Sequence, residues 1–487
     1  MNPDNVELDG EDLLVIGGGP AGLTAAYEFQ KLAPTRRAMV LEADEIVGGI
    51  ARTETYKGYR FDIGGHRFFT KVPEVEAVWR EVLQDQFIRV PRQSRIYYRG
   101  QYFDYPLKLV NSLRNIGPYE AFRIMLSYLK WQVRPSKIED DFEQWVINRF
   151  GGRLYMHFFE SYTRKVWGVD PKNIQAEWAA QRIKNLSLSK AVWNALTGAN
   201  NTTSLIEEFD YPRLGPGQMW EKTADLIEAH GGKVRKGAFV SRVFRDGNRI
   251  TAVEVRDSHG GTERIEAKNF INTMALRDLI QCITPAPPEE VQEAAQLLKY
   301  RDFLIVTLVL DRPDPFPDNW IYVHSPDVKV GRIQNFRAWS EDMLPNKTHA
   351  SIGMEYFCQK EDDLWTSSDD DLRKLAASEL EVLGLAKKSD VVDGTVIRQP
   401  KAYPVYDTAY RGACATISEW INSLENLQSV GRNGQHRYNN QDHSMLTAMF
   451  AARNILGANY DVWSVNVERS YHEEFERSAN KDGMLAA

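Results

Sequence analysis

The sequence predicts an α/β protein built around a discontinuous Rossmann-type domain that is interrupted by a helical insertion. Three observations lead to this prediction. In "DLLVIGGGPAGLTAAYEF" an apolar segment runs into a glycine-rich loop and an alanine-rich helix. Strand-like segments recur in the middle of the 487-residue chain and near its C-terminus. Between them, residues 107–205 have mainly helical periodicity.

The first unit of the Rossmann-type domain is a strand, a turn and a helix. Leu13–Ile16 is a short apolar run, which predicts a buried strand, and Leu23–Lys31 has the pattern of a helix. A second strand within "AMVLEADEIVGG" ends at Glu42. The order strand, helix, strand is that of a βαβ unit.

The turn in this unit has the spacing GxGxxG, formed by Gly17, Gly19 and Gly22. The first glycine allows a tight turn, the second lets the backbone approach a pyrophosphate, and the third lets helix and strand pack closely. Glu42 stands twenty residues after Gly22, where its carboxylate can accept hydrogen bonds from a ribose 2′-hydroxyl. The loop therefore predicts a bound dinucleotide, and a glycine-rich turn without a ligand is the alternative.

Two further segments favour FAD over NAD. After Glu42, the pair Gly48 and Gly49 is followed by a small residue and Arg52, which marks a second approach to the pyrophosphate. Near the C-terminus, "SVGRNGQHRYNNQDHSMLTAMFAARNI" is similar to the segment that closes a flavin site. The chain has one GxGxxG and no cysteine near that segment, so we expect one non-covalent FAD and no separate NAD(P)H domain.

Composition limits the function classes. A net charge of −7 argues against a nucleic-acid partner. Cys282, Cys358 and Cys414 form no CxxC pair or zinc spacing, which favours a reduced, cytoplasmic location and no metal site. The acidic N-terminus has no signal peptide pattern. The longest apolar run, Phe303–Leu310, is too short to span a bilayer and predicts a buried strand.

The helical insertion has one especially regular segment, "YEAFRIMLSYLKWQVRP". Its apolar residues recur at helical spacing, and Pro135 ends it. These apolar residues are Phe122, Met125, Leu126, Leu129 and Val133. Strand candidates lie on both sides of the insertion, with a hairpin over Arg95–Pro106 and several strands within 300–420.

With these residues in place, the chain resembles the eukaryotic-type UDP-galactopyranose mutases, a family within the FAD-dependent amine oxidase and protoporphyrinogen oxidase superfamily. The resemblance covers about residues 10–457 and consists of motifs in order, among them "GGGPAG", "VGGIARTE", "FDIGGHRFF", "RKVWGVDPKNIQAEWAAQR" and "RYNNQDHS". It implies an FAD-binding domain, a helical domain and an antiparallel β-sheet substrate domain, with the flavin at their junction. The expected ranges are 1–94, 206–275 and 421–487 for the FAD-binding domain, 107–205 for the helical domain, and 95–106 and 276–420 for the substrate domain.

The resemblance also implies a reaction in carbohydrate biosynthesis. Reduced FAD would act as a nucleophile and interconvert the pyranose and furanose forms of a nucleotide-diphosphate sugar, without net redox change. An external reductant such as NAD(P)H or a reductase would keep the flavin reduced, and a homo-oligomer is left open. The alternative is an FAD-dependent oxidase or desaturase of the same superfamily, which needs only the flavin and an apolar pocket. A flavin-stabilised binding protein without turnover is a third hypothesis.

The resemblance assigns site residues position by position. The cofactor-binding residues it implies are Gly17, Gly19, Pro20, Ala21, Gly22, Glu42, Ala43, Gly48, Gly49, Ile50, Ala51, Arg52, Gly64, Gly65, His66, Arg95, Val240, Met274, Gly431, Arg432, Asn440, Gln441, Asp442 and Ser444. The substrate-binding residues are Tyr105, Trp167, Arg182, Tyr322, Arg332, Tyr403 and Tyr438, and the catalytic residues are His66, Arg182, Arg332 and Arg432.

Arg182 and Arg332 match the family's two diphosphate-binding arginines. A guanidinium fork binds phosphate oxygens in pairs and keeps its charge. A structural salt bridge is the alternative for each arginine, and a capped loop histidine is the alternative for His66. Thr163 and Phe336 depart from the family pattern, which places the identity of the sugar and the nucleotide in doubt more than the cofactor.

Overall fold

The strands belong to two large sheets and two small ones within residues 11–105, 115–176 and 208–466, the part of the chain that a computed structural model describes. In chain order the strands are β1 Glu11–Ile16, β2 Ala38–Leu41, β3 Thr53–Tyr56, β4 Tyr59–Asp62, β5 Phe87–Pro91, β6 Ser94–Tyr98, β7 Gln101–Asp104, β8 Glu208–Pro212, β9 Lys233–Arg235, β10 Phe239–Asp246, β11 Arg249–Arg256, β12 Thr262–Asn272, β13 Ile283–Thr284, β14 Tyr300–Leu310, β15 Trp320–Val323, β16 Arg332–Asn335, β17 Ala350–Cys358, β18 Val391–Pro404 and β19 Leu427–Ser429.

The helices cover the sheets and build the insertion. In chain order the α-helices are α1 Pro20–Leu32, α2 Pro73–Leu83, α3 Pro118–Val133, α4 Phe142–Phe150, α5 Gly152–Tyr155, α6 Ser161–Trp167, α7 Gly217–Ala229, α8 Leu276–Cys282, α9 Glu289–Leu297, α10 Phe336–Trp339, α11 Asp363–Thr366, α12 Asp369–Val382, α13 Tyr410–Asn422, α14 Gly431–Gly434 and α15 Gln441–Ile455. A π-helical turn, Met156–Glu160, joins α5 to α6.

The first large sheet has the order β13-β10-β11-β12-β1-β2-β9, and β19 pairs with β12 beside this path. Strand β1 lies between β12 and β2 and is parallel to both, with Leu14 opposite Phe270 on one side and Met39 on the other. The strands come from the N-terminal, middle and C-terminal parts of the chain. The predicted discontinuous Rossmann-type domain is thereby confirmed.

The second large sheet has the order β18-β14-β17-β16-β15-β6-β7. Adjacent strands within this sheet are antiparallel, except that β15 and β6 are parallel to each other. All eleven residues of β14 are buried, because the strand lies between β18 and β17 and is covered on both faces. The apolar run Phe303–Leu310 is therefore a core strand, as the sequence predicts, and the α/β fold class with its antiparallel sheet is confirmed.

The helical insertion follows β7, and α3 ends just before Pro135 as its sequence predicts. Ile124 and Tyr128 form the buried face of α3. Trp131 packs against the core as well, and Met125 is half-buried, whereas Phe122, Leu126, Leu129 and Val133 point outward, with Phe122 62% and Val133 77% exposed. In the part of the chain that the structure describes, no helix combines the length and the apolar character needed to cross a membrane.

Element boundaries differ from the sequence predictions mainly at helix starts. Helix α1 begins at Pro20 rather than Leu23, because proline at the first helical position has a preset φ and needs no donor. Helix α15 begins at Gln441 rather than near Ser444. Part of the predicted helical domain, 177–207, lies outside the described residues, and the predicted limits of the three domains stay predictions.

Gly22 permits the close contact between α1 and β1, and its replacement should disrupt the fold. A Cβ at Gly22 would lie 1.8 Å from the carbonyl oxygen of Gly17, so Gly22→Ala forces the backbone apart. We expect the free energy of unfolding to fall by about 3 kcal/mol or more, the upper end for overpacking.

Gly412→Ala is the matched control, since Gly412 lies in helix α13 and its Cβ would meet nothing within 4 Å. The control should be neutral or stabilising by up to about 1 kcal/mol. Denaturant unfolding of both variants checks the prediction, and equal stabilities would contradict it.

Candidate functional site

A cavity of about 720 Å³ lies where the two large sheets meet the helical insertion. Its walls come from the β1–α1 loop, the loop after β4, helix α6, strands β15 and β16, the end of β18 and the start of α15. The cavity therefore lies beyond the C-terminal end of β1, the position where open α/β sheets bind their ligands.

The β1–α1 loop forms one end of the cavity. Gly17 has a φ of +101°, which favours glycine, and a Cβ there would lie 2.2 Å from the Thr273 Oγ1. The hydroxyl of Thr273 donates to the carbonyl oxygen of Ile16 at 2.8 Å and so joins the end of β12 to this turn. Gly19 precedes α1 as its N-cap residue. The N-terminus of α1 thus presents backbone N–H groups to the cavity.

Glu42 follows β2 and stabilises the same loop. Its Oε2 accepts a hydrogen bond from the Gly18 N–H at 2.7 Å, and its Oε1 accepts one from the Asp44 N–H at 2.9 Å. Burial raises the pKa of this carboxyl, while the two backbone N–H groups act in the opposite direction. Each carboxylate oxygen can accept a further bond, so Glu42 can still bind a ribose hydroxyl.

The second glycine pair lies directly against the first loop. The Gly48 N–H donates to the carbonyl oxygen of Gly18 at 2.8 Å, and Gly49 faces Gly19 closely enough that a Cβ on Gly49 would be 3.3 Å from the Gly19 Cα. Arg52 is buried, donating to Glu54 and to Gln399. The glycines of two loops therefore meet at the cavity, where their backbones are not covered by side chains of their own.

His66 lies in the loop after β4 and faces the cavity. Its Nδ1 is 3.1 Å from the carbonyl oxygen of Gly64, which can only accept, so Nδ1 carries the proton in the neutral ring. Burial, together with the charges of Arg332 and Arg432, lowers the pKa of His66 to about 3. The imidazole is therefore neutral at physiological pH, with Nε2 able to accept a hydrogen bond.

Arg332 forms a buried ion pair with Glu355 on the neighbouring strand. Its Nε and Nη2 each lie 2.6 Å from the Glu355 Oε2, and Gln334 donates to the other carboxylate oxygen at 2.8 Å. Burial alone would lower the pKa of Arg332, but the Glu355 charge raises it well above the ordinary value. The guanidinium stays charged, and its third nitrogen, Nη1, makes no hydrogen bond to the residues that the structure describes and can serve another acceptor.

Arg432 lies over two tyrosine rings at the other side of the cavity. Its guanidinium carbon is 4.0 Å from the ring centroid of Tyr438 and 4.8 Å from that of Tyr403. Nε donates to the carbonyl oxygen of Ala402 at 3.1 Å. The buried Nη2 has no hydrogen-bond partner among the described residues, which is expected of a donor that serves a ligand.

Aromatic side chains form the remaining wall. The rings of Tyr105 and Tyr322 are 5.0 Å apart, and Trp167 makes an edge contact with Tyr403 at 6.1 Å. Burial raises the pKa of Tyr403 to about 12, so its hydroxyl is neutral and can donate as well as accept. Thr163, where the family has asparagine, also lines the cavity. This wall can bind a polar ligand without adding charge.

Most of the residues assigned from the sequence border this one cavity. They are Gly17, Gly19, Pro20, Ala21, Glu42, Ala43, Gly49, Ile50, Ala51, Arg52, Gly65, His66, Tyr105, Trp167, Val240, Met274, Tyr322, Arg332, Tyr403, Gly431, Arg432, Tyr438, Asn440, Gln441 and Ser444. The structure does not bring Gly22, Gly48, Gly64, Arg95 or Asp442 to its surface. Arg182 lies outside the described residues.

Arg95 is the clearest departure from the assignment. Its guanidinium donates twice to the buried Asp318, from Nε at 2.9 Å to Oδ1 and from Nη2 at 2.6 Å to Oδ2. The next residue of β6, Ile96, lines the cavity instead. Because successive side chains of a strand point to opposite faces, Arg95 points away from the cavity. Phe336 is also buried elsewhere, against Phe61.

The sequence assignment missed several lining residues. Arg67, Arg92, Tyr162, His324 and Gln334 all border the cavity. Two of them had a usable signal, since His324 follows Tyr322 by two residues and Gln334 follows Arg332 by two. On a strand this spacing places both side chains on one face. The His324 ring stacks on Tyr162 with centroids 4.3 Å apart.

The chain matches the family model described as flavin containing amine oxidoreductase over residues 20–410. The protein belongs to this family. Its fold and its glycine-lined cavity are therefore those of a flavin-dependent enzyme of the amine oxidase superfamily. The predicted resemblance to that superfamily is confirmed.

Individual relatives include oxidases and a mutase. The chain is 24% identical to coproporphyrinogen III oxidase of Mycobacterium tuberculosis over 426 residues, 83% of this chain and 89% of that protein. It is 44% identical to inactive all-trans-retinol 13,14-reductase of Danio rerio over 62 residues, 13% of this chain and only 9% of that protein. A structure of reduced UDP-galactopyranose mutase is similar with a TM-score of 0.80 and 20% identity, covering 92% of this chain and 94% of that chain.

His324 should make the folded protein sensitive to acid. Burial lowers its pKa from 6.5 to about 3, and its Nδ1 has no partner among the described residues. Between these pH values the unfolded chain binds a proton that the folded protein does not, so stability falls as pH decreases from about 6.5. His324→Phe should flatten this dependence by at most about 1.4 kcal/mol per pH unit.

Thermal unfolding between pH 7 and pH 4 measures the effect. His259→Phe is the control, because His259 lies exposed in the turn between β11 and β12 and should retain the wild-type pH dependence. An identical slope in wild type and His324→Phe would show that His324 does not cause the acid sensitivity.

Proposed function

We propose that this protein is an FAD-dependent mutase that interconverts pyranose and furanose forms of a nucleotide-diphosphate sugar without net redox change. The observation that carries the proposal is the placement of Arg332 in the tyrosine-lined part of the cavity. Glu355 binds two of its nitrogens, and within the described part of the chain Nη1 is left for an acceptor. A diphosphate oxygen is one of the anionic acceptors with which a charged guanidinium makes a strong, charge-assisted hydrogen bond.

The residues around the glycine loops fit FAD. Gly19 and Gly49 leave the backbone accessible to a pyrophosphate, Glu42 can bind a ribose, and the buried Arg432 Nη2 lacks a partner among the described residues. Val240 and Met274, which also line the cavity, would lie against the adenine. When bound in its reduced form, the flavin supplies the nucleophile for the anomeric carbon of the sugar.

The chain's own residues then orient the substrate. Arg332 would bind the diphosphate with Arg182, which the sequence assigns to the same role. Tyr105, Tyr322 and Tyr403 would bind phosphate or sugar oxygens through neutral hydroxyls. A reductant such as NAD(P)H or a reductase would be needed to maintain the reduced flavin.

The second candidate is an oxidase, because a relative over most of the chain is coproporphyrinogen III oxidase. In that case oxidised FAD would accept a hydride and oxygen would reoxidise the flavin. The buried Arg332–Glu355 pair favours the mutase, since an apolar pocket for hydride transfer needs no anion-binding nitrogen at this position.

A redox experiment separates the two candidates. The flavin-loaded protein is photoreduced under nitrogen and mixed with a panel of UDP-, dTDP- and GDP-sugars. A mutase should give many turnovers per reduction and no activity in the oxidised state. In a second arm the oxidised protein is mixed with the same sugars in air, where an oxidase should consume oxygen and release peroxide in proportion to product, and that outcome would reject the mutase.

Arg332→Ala should weaken UDP binding by roughly thirtyfold or more, because truncating one partner of a buried charge-assisted contact costs about 2–5 kcal/mol. Arg332→Lys should restore only part of the affinity, since a single ammonium group cannot hold Glu355 through two nitrogens and also present a third nitrogen to a phosphate oxygen. Fluorescence titration with UDP measures both variants, and flavin content should stay unchanged.

Arg95→Ala provides the matched control. It also breaks a two-bond pair with a fully buried carboxylate, Asp318, but its guanidinium lies away from the cavity. Both alanine variants should lose stability, whereas only Arg332→Ala should lose nucleotide affinity. Equal UDP affinity in the two variants would assign Arg332 a structural role and overturn the diphosphate assignment.

A further inference from the structure

Helix α3 exposes a continuous apolar stripe that the cavity and its chemistry do not use. We define the stripe as Tyr119, Phe122, Leu126, Leu129 and Val133, which follow one another at intervals of three, four, three and four residues. Tyr119 is 74% exposed, and Leu126 and Leu129 are each 51% exposed. The helix has sixteen residues and is therefore about 24 Å long. Scattered exposed apolar residues are ordinary, but a continuous stripe of this length indicates a binding surface.

The stripe belongs to a firmly held helix rather than to a loose segment. Glu120 binds Arg153 through two hydrogen bonds, at 2.6 and 2.8 Å, and it binds the ring of His157 at 2.9 Å. Gly151 approaches the backbone of Tyr128 so closely that a Cβ there would be 2.9 Å from the Tyr128 Cα. The apolar side chains therefore face outward because the opposite face of α3 is fixed against α4 and α5.

Basic residues border the stripe. Arg123, Lys130, Arg134 and Lys137 are all exposed. Ile138, 67% exposed, extends the apolar surface beyond the end of the helix. An amphipathic helix with aromatic and leucine residues on one face and lysine and arginine beside them is typical of a segment that lies in a membrane interface.

The acidic residues of the same region are mostly engaged within the fold. Glu120 is bound to Arg153 and also lies 3.5 Å from Arg123, Glu139 pairs with Arg149, and Asp141 accepts the Gln144 N–H at the start of α4. Asp140 is exposed and offsets one of the four basic charges. The surface around the stripe is therefore positive overall, which favours an anionic partner.

A second copy of this chain is a poorer occupant for the stripe. If the stripe were the seam of a helix pair, its flanking positions would hold Arg123 and Lys130 on one side and Met125 and Gln132 on the other. Neither flank offers an acidic residue for a salt bridge between helices. An antiparallel pair would bring Arg123 of one copy near Lys130 of the other, which is repulsive.

We propose that α3 is a membrane-docking helix that places the stripe into the surface of a bilayer rich in anionic phospholipids. The apolar side chains would enter the boundary between headgroups and acyl chains, and Arg123, Lys130, Arg134 and Lys137 would contact lipid phosphates. Helix α3 packs on the segment that continues into Phe158 and Phe159, both of which line the cavity. The docked surface is thus one layer of helices away from the candidate site. The proposal does not depend on which reaction the flavin supports.

Vesicle sedimentation of the full-length, flavin-loaded protein tests the proposal. One set of vesicles contains phosphatidylcholine alone, and the other contains phosphatidylcholine with phosphatidylglycerol. The protein should sediment with the anionic vesicles, less with the neutral ones, and less again as salt is raised, since salt screens the contacts with the headgroups.

Two variants test the two parts of the surface. The triple variant Phe122→Gln, Leu126→Gln, Leu129→Gln should lower the partition coefficient on anionic vesicles by at least about tenfold, because it removes three inserted side chains. Lys130→Gln with Arg134→Gln should lower it by about fivefold per residue and should weaken its salt dependence.

The double variant Leu32→Gln, Leu297→Gln is the matched control. These leucines lie at or near the ends of other helices and are 52% and 49% exposed, close to the values for Leu126 and Leu129. The control should bind vesicles like the wild type. All variants change exposed side chains, so flavin absorbance and melting temperature should match the wild type and show that each variant is folded.

Three outcomes would overturn the proposal. The wild type could fail to sediment with either kind of vesicle. All variants could bind as well as the wild type, which would place lipid contact on another surface. Sedimentation velocity without lipid could show self-association that the triple variant abolishes, while vesicles bind nothing, and the stripe would then be an interface between copies.

Discussion

The contact between α1 and β1 at Gly22 is the constraint on which the candidate site depends. Only a residue without a side chain lets the start of α1 come this close to the Gly17 carbonyl. Three residues from later in the chain attach to the resulting loop, Glu42 and Gly48 from the segment after β2 and Thr273 from the end of β12. These attachments fix the helix N-terminus, the second glycine pair and the end of β12 around one space. The cavity is a consequence of this packing as much as of any side chain that lines it.

The local sequence predicted the glycine loop and its surroundings well, because the residues that determine this structure lie close together in the chain. The glycine spacing, the apolar run before it and the acidic residue after the second strand all lie within about thirty residues of one another. Each has a steric or hydrogen-bonding reason that does not depend on distant partners. The strand over Phe303–Leu310 was predictable for a similar reason, since a continuous apolar run of that length is stable only when it is buried.

The part of the cavity wall around Arg332 and Ile96 was less predictable. It depends on strand register and on which face of a strand a residue occupies. Arg332 and Glu355 lie directly opposite each other in the pairing of β16 with β17, and no pattern in the sequence gives that register. A shift of one position along β6 decides whether Arg95 or Ile96 faces the cavity. Helix α3 presents the same difficulty. Its periodicity predicts a helix, but the buried face, with Ile124 and Tyr128, is decided by what Gly151 allows to pack against it.

The electrostatics of the cavity follow from the Arg332–Glu355 pair. A buried guanidinium without a counter-charge would be costly, and Glu355 offsets that cost while keeping Arg332 protonated. Since the pair carries no net charge, it adds directed hydrogen bonding to the site more than it adds a long-range attraction for anions. Arg432 is stabilised differently, by two tyrosine faces and a backbone carbonyl, so its positive charge is retained. The two arginines together disfavour protonation of His66, and the cavity therefore combines a neutral imidazole acceptor with cationic donors at physiological pH.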